Sequence, residues 1–129
     1  MGDFAQNGFV TTLHNFGTKS VQQFEEELKT FSGYRPMELI LPSLYSELEG
    51  PALRHIVEQI SQVDYISHVI IGLDKADKEQ FLHASHFFSK LNKPFSLLWN
   101  DGPRLRAIHD ELEDMQLAPT ELGKGRNVW

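Results

Sequence analysis

The stretch Leu39-Ile40-Leu41-Pro42-Ser43-Leu44-Tyr45-Ser46-Glu47 decides how the rest of this chain is read. An apolar run ends at a proline, turns polar and, after Gly50-Pro51, enters a helical pattern. A buried strand hands over to a loop and helix in this way in an α/β sheet, where ligands bind at the carboxyl ends of the strands. The loop carries one acid, Glu47, among small and aromatic residues.

Toward the C-terminus, strand and helix patterns alternate. The first strand is expected over residues 38–41. Pro51 suits a first helical turn, where its missing amide costs nothing, and Leu53, Ile56, Val57, Ile60 and Val63 recur at helical spacing. A second strand is expected over 66–73, with Val69-Ile70-Ile71 as a β-branched run typical of burial on both faces. It closes in Gly72-Leu73-Asp74-Lys75-Ala76-Asp77, where Asp77 can cap the next helix and Gln80 can reach back. Phe81, Ala84, Phe87, Phe88 and Leu91 give that helix its inner face, and Asn92-Lys93-Pro94 ends it. A third strand over 95–99 leads into Asn100-Asp101-Gly102-Pro103, with Asp101 read as a cap. The last helix turns Leu105, Ile108, Leu112 and Met115 inward. Three strand–helix units in succession favour a parallel sheet with right-handed crossovers, so the fold class is α/β.

Toward the N-terminus, Ser20-Val21-Gln22-Gln23 is a capping box. Val21, Phe24, Leu28 and Phe31 line one face of the helix it opens, and Ser32-Gly33 is read as its stop. Residues 1–18 read as irregular or short-strand structure with Phe9, Val10, Leu13 and Phe16 as apolar points. Two parts are therefore expected: an extension with one helix at 1–36 and the sheet part at 37–129.

Composition sets bounds. A length of 129 residues suits one domain with a real core. A formal net charge of −6 argues against general nucleic-acid binding, which needs a basic surface. The absence of cysteine excludes disulfides and thiolate metal sites. No apolar run approaches the roughly 18 to 20 residues of a membrane span, and the N-terminus lacks the build of a signal peptide. A cytoplasmic domain is the expectation.

The three loops after the strands offer Glu47, then Asp74 with Lys75 and Asp77, then Asn100 and Asp101. In a parallel sheet these ends share one side, so the polar groups can converge on a crevice. Gly123-Lys124-Gly125 joins close backbone approach to a point charge suited to phosphate, although the spacing is not that of a Walker loop. His83 and His86 stand three apart without a third metal ligand, and Trp99 reads as a core residue rather than a base-stacking one.

Taken in order, Pro42-Ser43-Leu44-Tyr45-Ser46-Glu47, Ile70-Ile71-Gly72-Leu73-Asp74-Lys75-Ala76-Asp77 and Gly123-Lys124-Gly125-Arg126-Asn127-Val128-Trp129 resemble the GT-A glycosyltransferases. Within them the likeness is to the glucosyl-3-phosphoglycerate synthase and mannosylglycerate synthase group, over residues 37–129. The resemblance implies the Rossmann-like half of a nucleotide-diphospho-sugar transferase. It places Pro42, Leu44 and Glu47 on the loop lining the nucleoside, Asp74 on the acidic turn that reads the base, and Lys124 near the pyrophosphate and sugar. Tyr45 and Ser46 stand where the family has Asn and Glu, and the second turn lacks the family's Asp-Ser-x-Ser-Thr-Asp run.

The partners implied are a nucleotide-diphospho-sugar donor and a small acid acceptor, glycerate or 3-phosphoglycerate. The cofactor implied is Mg²⁺ or Mn²⁺, held by an Asp-x-Asp motif that does not occur before Trp129. The chain is accordingly expected to be the donor-binding part of a longer protein and inactive alone. Two other classes stay open: a non-catalytic nucleotide-binding or regulatory domain, and an assembly module acting through the N-terminal helix, for instance as a homodimer.

Overall fold

The structure is a computed structural model and describes residue 17 and residues 19–118. The readings of residues 1–16 and of Gly123-Lys124-Gly125, Lys124 included, lie outside the described residues. Helix α1 (Val21–Tyr34) leads into β1 (Met37–Leu44), a 3-10 turn (Tyr45–Glu49) and α2 (Pro51–Gln62). Strand β2 (Ile66–Asp74), α3 (Lys78–Phe88), β3 (Phe95–Trp99) and α4 (Pro103–Asp114) follow. The strands form one parallel sheet in the order β1-β2-β3. This is the α/β, Rossmann-like arrangement that the alternation implied. Among the described residues, no helix is long and apolar enough to cross a membrane.

The core fills one face of the sheet. Leu39 and Leu41 of β1, Val69, Ile71 and Leu73 of β2, and Phe95 and Leu97 of β3 meet Leu53, Val57 and Ile60 of α2 and Ala84, Phe87 and Phe88 of α3. Successive side chains of a strand point to opposite faces, so Ile40, Ile70 and Leu98 lie on the other one. There Ile40 is 52 % exposed and Leu98 42 %, and Ile70 is half-buried. The β-branched run of β2 is thus closed fully on one face and only partly on the other, short of the two-sided burial its composition suggested.

Strand β1 is longer than expected. Pro42, Ser43 and Leu44 belong to it and pair in register with Gly72, Leu73 and Asp74. Pro42 is tolerated because β1 is an edge strand, where one side of the backbone has no ladder to complete. Helix α1 also outruns its expected stop: it passes Gly33 and ends at Tyr34. Arg35 is extended, as a residue before a proline prefers, so Pro36 rather than Gly33 ends the helix.

Helix α1 opens on the expected box, Gln23 N–H donating to Ser20 Oγ at 3.3 Å and Ser20 N–H to Gln23 Oε1 at 2.9 Å. Its apolar face does not enter the core, with Phe24 and Phe31 both exposed. An ion pair of 3.1 Å joins Lys29 to Asp64 beyond α2. The hydrogen bond and charge of Asp64 hold the Lys29 ammonium above its usual 10.5. A raised pKa gives a contribution present below 10.5 and lost only as pH climbs past the folded value, so it does not vary near neutrality. Helix α4 likewise buries none of its residues fully. Ile108 and Met115, expected inward, are exposed.

The end of β3 is tightly built. Trp99 stacks on Phe81 at 5.0 Å between ring centroids, and its indole N–H donates to Ala76 O at 2.7 Å. Gly102 faces that ring so closely that an added Cβ would lie 2.7 Å from it. The ring is held on both sides and cannot yield freely. Gly102→Ala is therefore expected to destabilise the chain by about 1–3 kcal/mol, as overpacking does, and urea unfolding reads it directly. Ile71→Ala is expected to cost about 2–5 kcal/mol. The half-open Leu98, changed to Ala, should cost clearly less in the same assay.

Candidate functional site

The carboxyl ends of β1 and β2 lie side by side because the parallel register sets Leu44 opposite Asp74 and Pro42 opposite Gly72. From Leu44 the chain winds directly into the 3-10 turn, and the Glu47 carboxylate folds back so that Leu44 N–H donates to its Oε2 at 2.9 Å. Gly50 N–H closes the turn on Glu47 O at 3.1 Å. Leu48 fixes the turn from below as a core residue, while Glu47 itself is exposed. A charged acceptor on a strand-end amide is a strong, local device for ordering such a turn.

Asp74 differs from Glu47 in its setting. It is fully buried, and Oδ1 accepts from Lys75 N–H at 3.0 Å. Lys75 has φ 55°, the left-handed region that a non-glycine side chain resists and that clusters at functional turns. Ala76 is then held twice by the third loop: its N–H donates to Asp101 Oδ2 at 3.1 Å and its carbonyl accepts from the Trp99 indole. Asn100 N–H donates to Leu73 O at 3.0 Å, a third tie between the same turns.

Asp77 caps α3 as read, with Gln80 N–H donating to Asp77 Oδ1 at 2.8 Å and Asp77 N–H to Gln80 Oε1 at 2.9 Å. Asp101 does not cap α4. The cap residue there is Gly102, which has no side chain, and Asp101 instead braces the second loop. Trp99 is a core residue, as read.

Four of the five residues assigned to the donor thus come together at one end of the sheet: Pro42, Leu44, Glu47 and Asp74. The fifth, Lys124, lies outside the described residues. Helices α2, α3 and α4 all begin at this same end, directly after the strand-end loops. Helix N-termini carry partial positive charge and free amides, which suit an anion such as a diphosphate. Two open grooves lie elsewhere, one along α1 and one between α2 and α3 edged by Arg54 and Lys90.

Among the described residues, the carboxylates at the strand ends do not gather into a group of three ligating side chains. Glu47 and Asp74 each accept a backbone amide from within three residues, and Asp101 accepts one from Ala76 of the second loop. The grouping of three ligating side chains found among the described residues is His109, Asp110 and Glu113 on α4, their ligand atoms within 4.8 Å of one another. At 1.5 Å per residue, His109 lies about 9 Å along α4 from its start at the strand ends.

One polar contact had no signal in the sequence. The Tyr45 hydroxyl lies 3.0 Å from His83 Nδ1. The two residues stand 38 positions apart, on elements that meet only once the sheet has formed, and neither carries a spacing pattern that joins them.

Over all 129 residues the chain is 41 % identical to a protein named glucosyl-3-phosphoglycerate synthase from Persephonella marina, and spans 32 % of that protein. Over 128 residues it is 34 % identical to a protein of the same name from Methanococcoides burtonii, and spans 31 % of it. The match takes in residues 1–36, which the three motifs had left outside the resemblance. No family model matches the chain, and no solved structure matches it. The chain spans about a third of the length of these curated relatives. From end to end the chain is similar to about a third of the length of each of these two proteins, which carry the name of the group its motifs resemble.

Proposed function

We propose that this chain is the donor-nucleotide-binding part of a cytoplasmic glycosyltransferase that passes a hexose from a nucleotide-diphospho-sugar to glycerate or 3-phosphoglycerate. The observation that carries the reading is the 41 % identity to a glucosyl-3-phosphoglycerate synthase across the whole chain. The strand-end geometry supports it. A ribose or uracil offers N–H and O–H donors, and carboxylates at the ends of parallel strands accept them. Glu47 is an exposed acid of the strand-end loops. Asp74 is closed off behind it, so its part in reading the base calls for a shift of the Lys75–Ala76 turn, which already holds a strained residue. Pro42 and Leu44 form the floor between them, and Lys124 supplies the charge for the pyrophosphate.

Mg²⁺ or Mn²⁺, when bound, neutralises charge on the departing diphosphate. The relatives are about three times the length of this chain, which leaves room for the ion's ligands and for the acceptor site outside the third matched here, and this third alone is expected to be inactive. A second reading, a non-catalytic nucleotide-binding or regulatory domain, draws on the closed carboxylate of Asp74 and the self-capped carboxylate of Glu47. The two readings part on whether the reading frame beyond Trp129 enters an Asp-x-Asp strand. The exposed apolar face of α1 is where a homodimer would form.

Titration of the chain with UDP- and GDP-sugars plus Mg²⁺, followed by backbone amide shifts at millimolar nucleotide, is expected to give saturable binding at residues 43–47 and 72–77. Glu47→Gln keeps an acceptor for Leu44 N–H but removes the charge, and should weaken that binding by about tenfold or more, the usual scale for a hydrogen bond to a charged group. No shift with any nucleotide sugar would overturn the reading.

A further inference from the structure

Tyr45 follows β1 directly and stands two residues before Glu47, where an aromatic ring could turn outward and stack on a base. The structure gives it a different task. Its ring packs against the buried cluster, its hydroxyl meets His83 Nδ1 at 3.0 Å, and the two rings meet edge to face with centroids 5.9 Å apart. His83 sits on the second turn of α3, a helix whose start is already set by the Asp77–Gln80 box. The other polar ties of the 3-10 turn are local: Leu44 to the Glu47 carboxylate and Gly50 to the Glu47 carbonyl. Leu48 seats the turn on the core, and among these polar contacts the Tyr45–His83 one is the tie that reaches α3.

We infer that the Tyr45–His83 pair is the anchor that places the turn bearing Glu47 against α3, making both side chains positioning residues for the donor site. The inference rests on the donor-site reading for its functional consequence, and on geometry alone for the anchoring. The phenolic oxygen can donate to a bare Nδ1 or accept from a protonated one, so the tie does not depend on one charge state of the imidazole. What it requires is a polar atom at the Nδ1 position. Asparagine supplies one there; leucine fills similar space without it. Tyr45 is also removed from any stacking role, so the base must be held by carboxylates and backbone at this loop rather than by an aromatic face.

Tyr45→Phe, His83→Leu and His83→Asn, made in the full chain, test this with two readouts. Hydrogen exchange of the amides of residues 44–50 should quicken about threefold to tenfold in Tyr45→Phe and His83→Leu, the scale of one net hydrogen bond, while the β2 amides keep their protection. UDP-sugar affinity, read by amide-shift titration, should fall by a similar factor, and His83→Asn should restore both. Unchanged exchange in Tyr45→Phe and His83→Leu overturns the inference. So does a His83→Asn variant as impaired as His83→Leu, since packing rather than the hydrogen bond would then be responsible. If the exchange pattern holds while the unsubstituted chain binds no nucleotide sugar, the anchor stands and the donor reading falls.

Discussion

The parallel register between β1 and β2 is the constraint on which the rest depends. It pairs Leu39 with Val69 and Leu41 with Ile71 on the helix-covered face, and Leu44 with Asp74 at the carboxyl end. A slip of one residue would turn Leu39, Leu41 and Ser43 outward and bring Ile40, Pro42 and Leu44 into the core. It would also part Leu44 from Asp74, and with it the turn that Glu47 caps from the turn that Asp74 begins. The core and the crevice are thus fixed by the same pairing. Full burial of Val69, Ile71 and Leu73 against α2 and α3 is what makes any other register costly.

The strand-end loops are organised more by backbone ties than by open side chains. Ala76 is gripped at both its N–H and its carbonyl by the third loop, through Asp101 and Trp99. Asn100 adds a bond back to Leu73. These ties hold Lys75 in its left-handed conformation and keep Asp74 inside. The first loop is built differently, with an exposed acid capping its own turn and one long-range link to α3. Two differently tied loops lie side by side at Leu44 and Asp74.

Much of this was legible in the sequence, because hydrophobic period and punctuation carry most of an α/β fold. Pro51 at a first helical turn and the Asp77–Gln80 box each have a local physical meaning that tertiary structure did not override, and Val69-Ile70-Ile71 is a strand as read, although closed fully on one face only. The errors have physical causes as well. The proline at Pro42 reads as the end of a strand, but an edge strand can carry it. Gly33 reads as a helix stop, yet Pro36 sets the end two residues further on, through the extended Arg35. Asp101 reads as a cap because caps are local, whereas its bond to Ala76 spans 25 positions. Ile108 and Met115 read as inward because helical spacing identifies an apolar face without saying what covers it. The Tyr45–His83 contact lay beyond any such reading, since it depends on the packed sheet.

The central claim is that a nucleoside diphosphate sits at the joined carboxyl ends of β1 and β2. A crystal structure of the chain grown with uridine diphosphate and Mg²⁺ tests it most directly. The account predicts the uridine between Leu44 and Asp74 with Glu47 within hydrogen-bonding distance of it, and the phosphates toward the helix N-termini. Nucleotide seated instead in the groove between α2 and α3, against Arg54 and Lys90, would contradict it.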